Sequence, residues 1–556
     1  MRSLSAFFTL AILILIISCA KQTAPTGGPR DTIPPIMVSS SPSKGALNVS
    51  SKTIDLEFSE HIALANAKEQ IIITPDIEKK YEITARKKKV ILTLEQPLQP
   101  NTTYTFNFRD AIQDITEKNP AVNLKLAFST GSYIDSLQIT GTVKDLIQNK
   151  EVKDATVALY ESDTFNIFLH KPVYITKTNA KGEFQFENLK NGIFYIYAFE
   201  DRNRNLITDS RNENYNYQTT PIELNQNKKD IQLSLIRLDA RPIKITSARP
   251  YNTYFNIRTS KGLKDYKVQA ETGDTLFTTY GENRANIKIY NTFENIDSVA
   301  IKFTAFDSLQ HQLDTTLYVK FLERKTTPEP FTVLIENSKT IARNGNITLK
   351  GKATKPIASI NYDSIFVQVD SATRINVAPN ELTINQKTGQ FTITKNIGAE
   401  HFKELNTPIE PGQQTKSKKP TTQYALNFGK AAFISVELDS SQNSTEVLRP
   451  LRYEDTGVIT AEVLTSEPNY ILQLINKNNE VIQSAVNRPK ATFADLQPGE
   501  YFIRLIIDRN GDGEWTPGNF FRQEEPEPII FYANEKKVTS ITLKANFELG
   551  PMLIKF

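Results

Sequence analysis

The chain of 556 residues contains one cysteine, one tryptophan, three methionines and four histidines, so it is poor in the side chains from which many active sites and metal centres are built. A single cysteine, Cys19, excludes an internal disulfide framework and any multi-cysteine zinc site. His61, His170, His311 and His401 are far apart, and none lies in an H-E-x-x-H pattern, which excludes the helix-borne zinc protease site. The chain has no G-x-S-x-G elbow, no P-loop and no G-x-G-x-x-G. An excess of one charge is also missing. Sixty-six Lys and Arg stand against 62 Asp and Glu, a net +4, too little to argue for a nucleic-acid partner. The longest basic block, Arg86-Lys87-Lys88-Lys89, falls between two strand-like runs, where a solvated hairpin turn belongs. Carboxylates are plentiful enough to leave a glycosidase pair open, but tandem sandwiches with no other motif argue against one. We therefore expect no enzyme activity, no catalytic residues and no nucleic-acid partner.

What the chain has is strand material. Hydrophobic residues make up 39%, with 31 Phe and 21 Tyr, enough to build packed cores. Ile54, Leu56 and Phe58 alternate with Asp55 and Glu57, and Tyr104, Phe106 and Phe108 alternate with Thr105 and Asn107. Ile301, Phe303 and Ala305, then Ile365, Val367 and Val369, keep the same period of two, the mark of strands with one buried face. Turn residues recur every eight to twelve positions. The longest helical stripe, near Leu64 to Gln70, is short. The expected class is all-β: tandem β-sandwich modules, too many residues for one core.

The N-terminus differs from the rest. Arg2 precedes an apolar run from Phe7 to Ile17 broken only by Thr9. Eleven residues are too few for a membrane-spanning helix, and the layout fits a secretory signal over residues 1–18. Ile16-Ile17-Ser18-Cys19 resembles the lipobox of bacterial lipoproteins. The resemblance implies cleavage before Cys19 and acylation of its thiol and new amino group, a palmitate-type anchor in the outer membrane. An ordinary signal with a chance cysteine is the alternative. Residues 19–32, rich in Pro, Gly and Thr, read as a flexible tether. No acidic cluster follows Cys19, which favours the periplasmic over the surface leaflet.

Residues 33–131 resemble the bacterial Ig-like domain of the SbsA type. The matching residues are Pro34-Pro35, Pro42, Gly45, Val49 and Phe58-Ser59-Glu60, then Leu98, Pro100, Asn101, Thr102, Tyr104 and Phe128-Ser129-Thr130. That family usually places an Asp…Gly-Asn turn before its last strand. Here Asp114 and Asn119 are present, and Lys118 stands where Gly is usual. The run TGGPRDTIPP is also similar to the opening of a group of Bacteroidetes Ig-like lipoproteins. Residues 134–238 resemble the carboxypeptidase-regulatory-like, transthyretin-like sandwich, through Gly141-Thr142-Val143, Ala155 to Leu159, Thr178, Gly182, Phe184, Phe186, Leu189, Gly192 and Phe194. Despite its name that family is not enzymatic. The chain then repeats itself: Phe186, Leu189, Gly192, Phe194, Asp201, Arg202 and Asn203 recur as Phe493, Leu496, Gly499, Tyr501, Asp508, Arg509 and Asn510, always at one offset. A second copy is expected at 455–556. Between the copies, 239–326 and 327–450 are expected to be Ig-like sandwiches, the latter with a flexible loop at 408–422.

Three features are site-like. Asp508, Asn510 and Asp512, followed by Gly513, repeat the front half of an EF-hand calcium loop, where hard oxygens converge on one ion. Asn519 stands where the closing Glu belongs, and a metal-free hairpin turn is the competing reading. Calcium is the one cofactor the sequence raises. Trp515 beside the turn is a packing anchor or a ligand platform. Second, Asp followed by Ser or Thr recurs in a pattern that resembles the Bacteroidetes O-glycosylation sequon. Its acceptors would be Thr32, Ser136, Thr275, Ser298, Ser308, Thr315, Ser364 and Ser371. The same pairs also favour strand ends and turns. Third, Glu60 and His61 are adjacent, point to opposite faces of a strand, and read as a surface pair. Two functions fit. One is a non-catalytic structural or adhesive envelope scaffold that meets envelope proteins or glycans through loops. The other is a glycan- or peptide-binding accessory lipoprotein of an uptake system, which calls for an exposed aromatic platform.

Overall fold

The computed structural model describes residues 31–273, 275–291, 298–321, 327–336, 339–398 and 424–556. Cys19, the signal segment, most of the tether and the 408–422 loop lie outside the described residues. The protein is all-β, with 49% of residues in strands and 3% in helices. The alternating runs of the sequence form these strands with one face inward: Thr53–Phe58 buries Ile54, Leu56 and Phe58, and Val299–Phe306 buries Val299, Ile301, Phe303 and Ala305. The stripe near Leu64 to Gln70 yields only the four-residue helix Ala67–Gln70.

Among the described residues, five sandwich cores follow one another along the chain. They are built from Ile54 to Phe128, Ile139 to Leu235, Ile243 to Val319, Phe331 to Leu448 and Ile459 to Ile554. Each is enclosed by facing sheets. The first sandwich sets the order Met37–Ser41, Thr53–Phe58, Lys89–Leu94, Tyr81–Arg86 against Ile72–Thr74, Thr103–Asn107, Lys125–Ser129. In its last turn the Asp114 carboxylate accepts the backbone N–H groups of Glu117, Lys118 and Asn119 at 2.7, 2.9 and 3.0 Å. Lys118 adopts φ 62°, so the turn keeps its left-handed geometry without glycine.

The second and fifth sandwiches share one topology. In the second, Leu137–Asp145 lies between Glu183–Leu189 (antiparallel) and Lys228–Leu235 (parallel). In the fifth, Gly457–Leu464 lies between Lys490–Leu496 (antiparallel) and Glu548–Lys555 (parallel). Facing each three-stranded sheet is a five-stranded one. The copies solve one packing problem in two ways. Gly141 pairs with Phe184, whose ring fills the space a Cβ at Gly141 would take, only 2.7 Å from that position. The corresponding pair in the fifth sandwich is Ala461 and Ala491. One copy places a ring over a bare backbone where the other sets two methyl groups against each other.

The modules do not trail in an open line. The outer face of the second sandwich's larger sheet carries Ala158, Tyr160, Tyr197, Phe199 and Tyr215. They form one buried cluster with Leu238 and Ala240 from the connection to the third sandwich, Leu309 of the third and Phe520 of the fifth. Thr156–Tyr160 is therefore buried at every position, its Val157 and Leu159 facing the module's own core. Phe520 meets the ring of Phe168 at 5.0 Å between centroids, edge to face. Around it, Asn519 Nδ2 donates to Leu309 O at 2.7 Å, and Thr219 N and Oγ1 both donate to Glu525 Oε1 at 2.7 Å. Lys387 ties the third sandwich to the fourth through Asp265 at 2.6 Å, and Arg343 ties the fourth to the fifth through Asp495 at 2.5 Å. Sandwiches two to five thus close into a ring, with the first attached to the second.

Candidate functional site

The connection between the first two sandwiches is where concave surface gathers. Clefts of 360, 810 and 340 Å³ open along this seam. It is held by the backbone of Asp76, whose N–H donates to Val173 O at 2.9 Å, and by the Arg109–Asp154 and Lys125–Glu187 ion pairs at 2.6 and 2.5 Å. Asn188 adds two bonds: Thr105 Oγ1 donates to its Oδ1 at 3.2 Å, and its Nδ2 donates to Asp135 O at 2.9 Å.

The 360 Å³ cleft is walled on one side by the Ala67–Gln70 helix, the Ile72–Thr74 strand and the turn after it. Its other wall is the Tyr174–Lys177 edge strand and the Asp201–Leu206 turn. Ile73, Ile77 and Ile175 give it apolar surface, and an Arg204–Glu69 ion pair bridges the modules at its rim. Its polar groups are unevenly satisfied. The Tyr81 hydroxyl and Gln70 Oε1 are enclosed without a hydrogen-bond partner, although Tyr81 is only 1% exposed. Lys177 Nζ has one long contact, 3.4 Å to Asp154 O. Burial pushes the Lys177 ammonium below its ordinary range and the Asp76 carboxyl above its own. Burial, with the charge of Asp76 adding to it, pushes the Tyr81 phenol up to about 12. In the neighbouring 340 Å³ cleft, which shares Asp76 as a wall, Tyr133 is 59% exposed.

The repeated turns are tightly wired. Asp508 is buried, and both its oxygens serve the backbone: Oδ1 accepts from Gly511 and Asp512 at 2.8 and 3.2 Å, Oδ2 from Gly513 at 3.0 Å. Asn510 Oδ1 accepts from Asp512 N at 3.0 Å, and Asp512 Oδ1 accepts from Glu514 N at 2.8 Å. Gly511 and Gly513 take φ 71° and 78°, which the turn requires. Buried Glu527 braces the turn from outside, accepting from Arg509 N and Thr516 N at 2.8 Å each. Trp515 is half-buried and donates through Nε1 to Glu527 O at 3.0 Å. Asn519 accepts from Phe521 N and points its amide at the third sandwich. In the first copy Asp201 accepts from Asn205 and Leu206, and Glu213 takes the bracing role, accepting from Arg202 N at 2.9 Å. Glu213 and Glu527 are structural counterparts: each stands two residues before the strand that pairs with the repeated hairpin, Tyr215 opposite Phe199 and Ile529 opposite Ile506, so the brace is kept although it lies 18 residues after Arg509 and only 11 after Arg202. Among the described residues no three His, Cys, Asp or Glu side chains group as a metal site.

The sequon residues are spread over the surface. Thr32, Ser136, Thr275, Ser298, Ser308 and Ser371 are exposed, and Thr315 and Ser364 are half-buried. Glu60 and His61 are separated from any cleft of the seam. Sequence reading passed over Gln70, Tyr81 and Lys177, whose roles depend on a neighbouring module. It also passed over Phe520, although two adjacent phenylalanines in the polar stretch Gly518 to Glu525 were a legible sign of an inserted anchor.

The first wall of the seam can be placed in a family. Residues 31–130 match the family model of the bacterial Ig-like domain. That Ig-like domain supplies Gln70, Asp76 and Tyr81. No curated protein matches the chain. Among solved structures, the S-layer protein SbsC is 10% identical, with 92% of this chain and 67% of that one covered and a TM-score of 0.16. A DUF3823 family protein from Bacteroides uniformis is 12% identical over 34% of this chain and all of its own, TM-score 0.12. Dimeric latent PorU from Porphyromonas gingivalis is 11% identical over 68% and 46%, TM-score 0.22. At such scores these superpositions carry no argument, and the architecture rests on the sheets described above.

Proposed function

We propose that this chain is a non-catalytic scaffold of the bacterial cell envelope, a lipoprotein anchored through Cys19 to the periplasmic face of the outer membrane. The carrying observation is the Phe520 node, which fastens the second, third and fifth sandwiches into one body instead of leaving them as independently swinging beads. A closed body holds its loops at fixed separations, which suits a protein that presents surfaces to other envelope proteins or to glycans. Structural and adhesive roles need no reacting groups, and the buried carboxylates of the repeated turns are spent on backbone hydrogen bonds. The Ig-like domain, next to the tether in sequence, acts as the spacer between membrane and ring.

The test has two arms in the native host. Cells fed an alkyne-bearing palmitate should label the wild-type chain and not Cys19→Ala, and globomycin should cause the precursor to accumulate. Cross-linking on intact cells should recover specific envelope partners with the wild-type chain. Absence of lipid label on the wild-type protein would sink the anchoring, and recovery of no partner above background would sink the scaffold role.

A further inference from the structure

We propose that the free edge of the fifth sandwich's larger sheet, the strand Val481–Val486, binds the same edge of a second copy of this chain about a two-fold axis. That sheet runs Val481–Val486, Tyr470–Asn476, Gly499–Ile507, Ile529–Phe531, so Val481–Val486 has a hydrogen-bonded neighbour on one side only. An edge strand offers a row of unpaired backbone groups to any strand laid beside it, and sheets guard such edges with charges, proline, bulges or a covering element. The run VIQSAV has neither charge nor proline, and its one bulge, beside Ile482, leaves Gln483 to Val486 in regular register. Val481, Ile482 and Val486 are 46%, 44% and 50% exposed. The repeat sharpens the point. Thr156 pairs with both Phe199 and Lys177, and Ile471 with both Ile506 and Val486, so Lys177 and Val486 hold one position in the two copies. In the second sandwich this edge carries that lysine and is covered by the Ig-like domain, Asp76 N donating to Val173 O at 2.9 Å. The fifth sandwich has valine there, and among the described residues no strand of another module pairs with its edge.

The strand's own pattern selects the occupant. Asn487 N donates to Tyr470 O, so the hydrogen-bonded pairs with the inner strand fall at Ala485 and Gln483. Ser484 and Val486 therefore turn their N–H and C=O groups to the open side. Gln483 and Ala485 are half-buried against the sandwich's own core, Gln483 Nε2 donating to Ala494 O at 2.7 Å, while the side chains of Ser484 and Val486 stand exposed on the other face. An antiparallel second copy meets the outward groups when Ser484 lies opposite its own counterpart, which sets Val486 opposite Ile482 at both ends of the joint. Apolar side chains then cover one another across it. The charges agree with this direction. Glu480 flanks the strand at one end and Arg488 at the other, both exposed. Antiparallel pairing brings each toward its opposite in the second copy, whereas parallel pairing would stack like on like.

The experiment uses the chain from residue 19 onward with Cys19→Ala, so that any engineered thiol is the only one. Sedimentation velocity over a micromolar concentration series should show a monomer–dimer equilibrium. Val486→Lys, which copies the residue of the second sandwich, should weaken the dimer by about tenfold or more, because the two-fold axis counts the change twice. Its circular dichroism should match that of the parent chain, since the side chain is half exposed. Ser484→Cys should form an intermolecular disulfide under mild oxidation, because facing residues of a hydrogen-bonded pair have Cα atoms about 5.5 Å apart, within disulfide reach. Thr542→Cys, exposed on a strand at the other side of the same sheet, is the control and should cross-link far less. A chain that stays monomeric throughout the series, a dimer indifferent to Val486→Lys, or Ser484→Cys cross-linking no faster than Thr542→Cys would each overturn the assignment. So would species that grow past the dimer with concentration, the mark of head-to-tail pairing with a different free edge such as Met37–Ser41.

Discussion

Replacing Phe520 with alanine should open the ring without unfolding any sandwich. Phe520 is 7% exposed and touches three aromatic rings: Phe168 at 5.0 Å, Phe521 at 5.5 Å and Tyr197 at 6.3 Å. Truncating a buried phenylalanine costs about 3–5 kcal/mol, the lost transfer energy plus the cavity left behind. Here the loss falls on docking, since Phe520 belongs to the cluster on the outer face of the second sandwich and not to the fifth sandwich's own core. Each 1.4 kcal/mol is about a factor of ten, so the undocked population should rise by about two to three orders of magnitude. Cleavage of a transiently opened segment follows its population when reclosing is fast. Protease sensitivity of the 515–527 loop should therefore increase by a similar factor, and the radius of gyration from X-ray scattering should grow. Circular dichroism should keep its β signature. The adjacent Phe521, 55% exposed, is the control: Phe521→Ala should change cleavage far less. Unchanged scattering and cleavage in Phe520→Ala would refute the closed ring. Loss of the fifth sandwich's β signal would show instead that the side chain supports that module from within.

The repeat supplies a second test. Gly141→Ala drives a Cβ against Ile231 O and Phe184 and should destabilise the second sandwich by about 1–3 kcal/mol in denaturant melts; adding Phe184→Ala should lower stability further, because the contact with Ile231 O remains and a buried ring is lost from the core. Lys118→Gly should stabilise the Ig-like domain by about 1 kcal/mol, since Lys118 holds φ 62°, and a lower denaturation midpoint would contradict the turn's strain. Asp508→Ala removes the acceptor of three backbone N–H groups and should cost about 2–4 kcal/mol by thermal melting. The hydrogen-bonded turn also predicts that chelator leaves the wild-type melting temperature unchanged, and a calcium-dependent rise abolished by Asp508→Ala would favour the metal reading.

What the sequence determined by itself was local. A period of two in Ile54, Leu56 and Phe58, and in its many counterparts, fixes which face of each strand is buried, because successive side chains must leave opposite sides of a pleat. A single register linking Phe186 and Asp201 to Phe493 and Asp508 identifies one module used twice, and the two share a sheet order down to the parallel closing strand. The Asp114 turn was legible with a lysine in the glycine position, because the carboxylate and its three N–H partners outweigh the strain at one residue.

The tertiary structure decided how the modules meet. Alternation reports burial against a strand's own core and says nothing of which neighbour covers the other face. The apolar runs Val157 to Tyr160 and Ile193 to Phe199, on paired strands, carry the sign that the second sandwich is buried on both sides. The seam cleft was invisible for the same reason: Gln70 and Tyr81 lie a hundred residues from Lys177 and Arg204, and nothing local makes them partners. Contacts between modules depend on shape and on complementary groups supplied by separate folds, and that information exists only once each sandwich has closed.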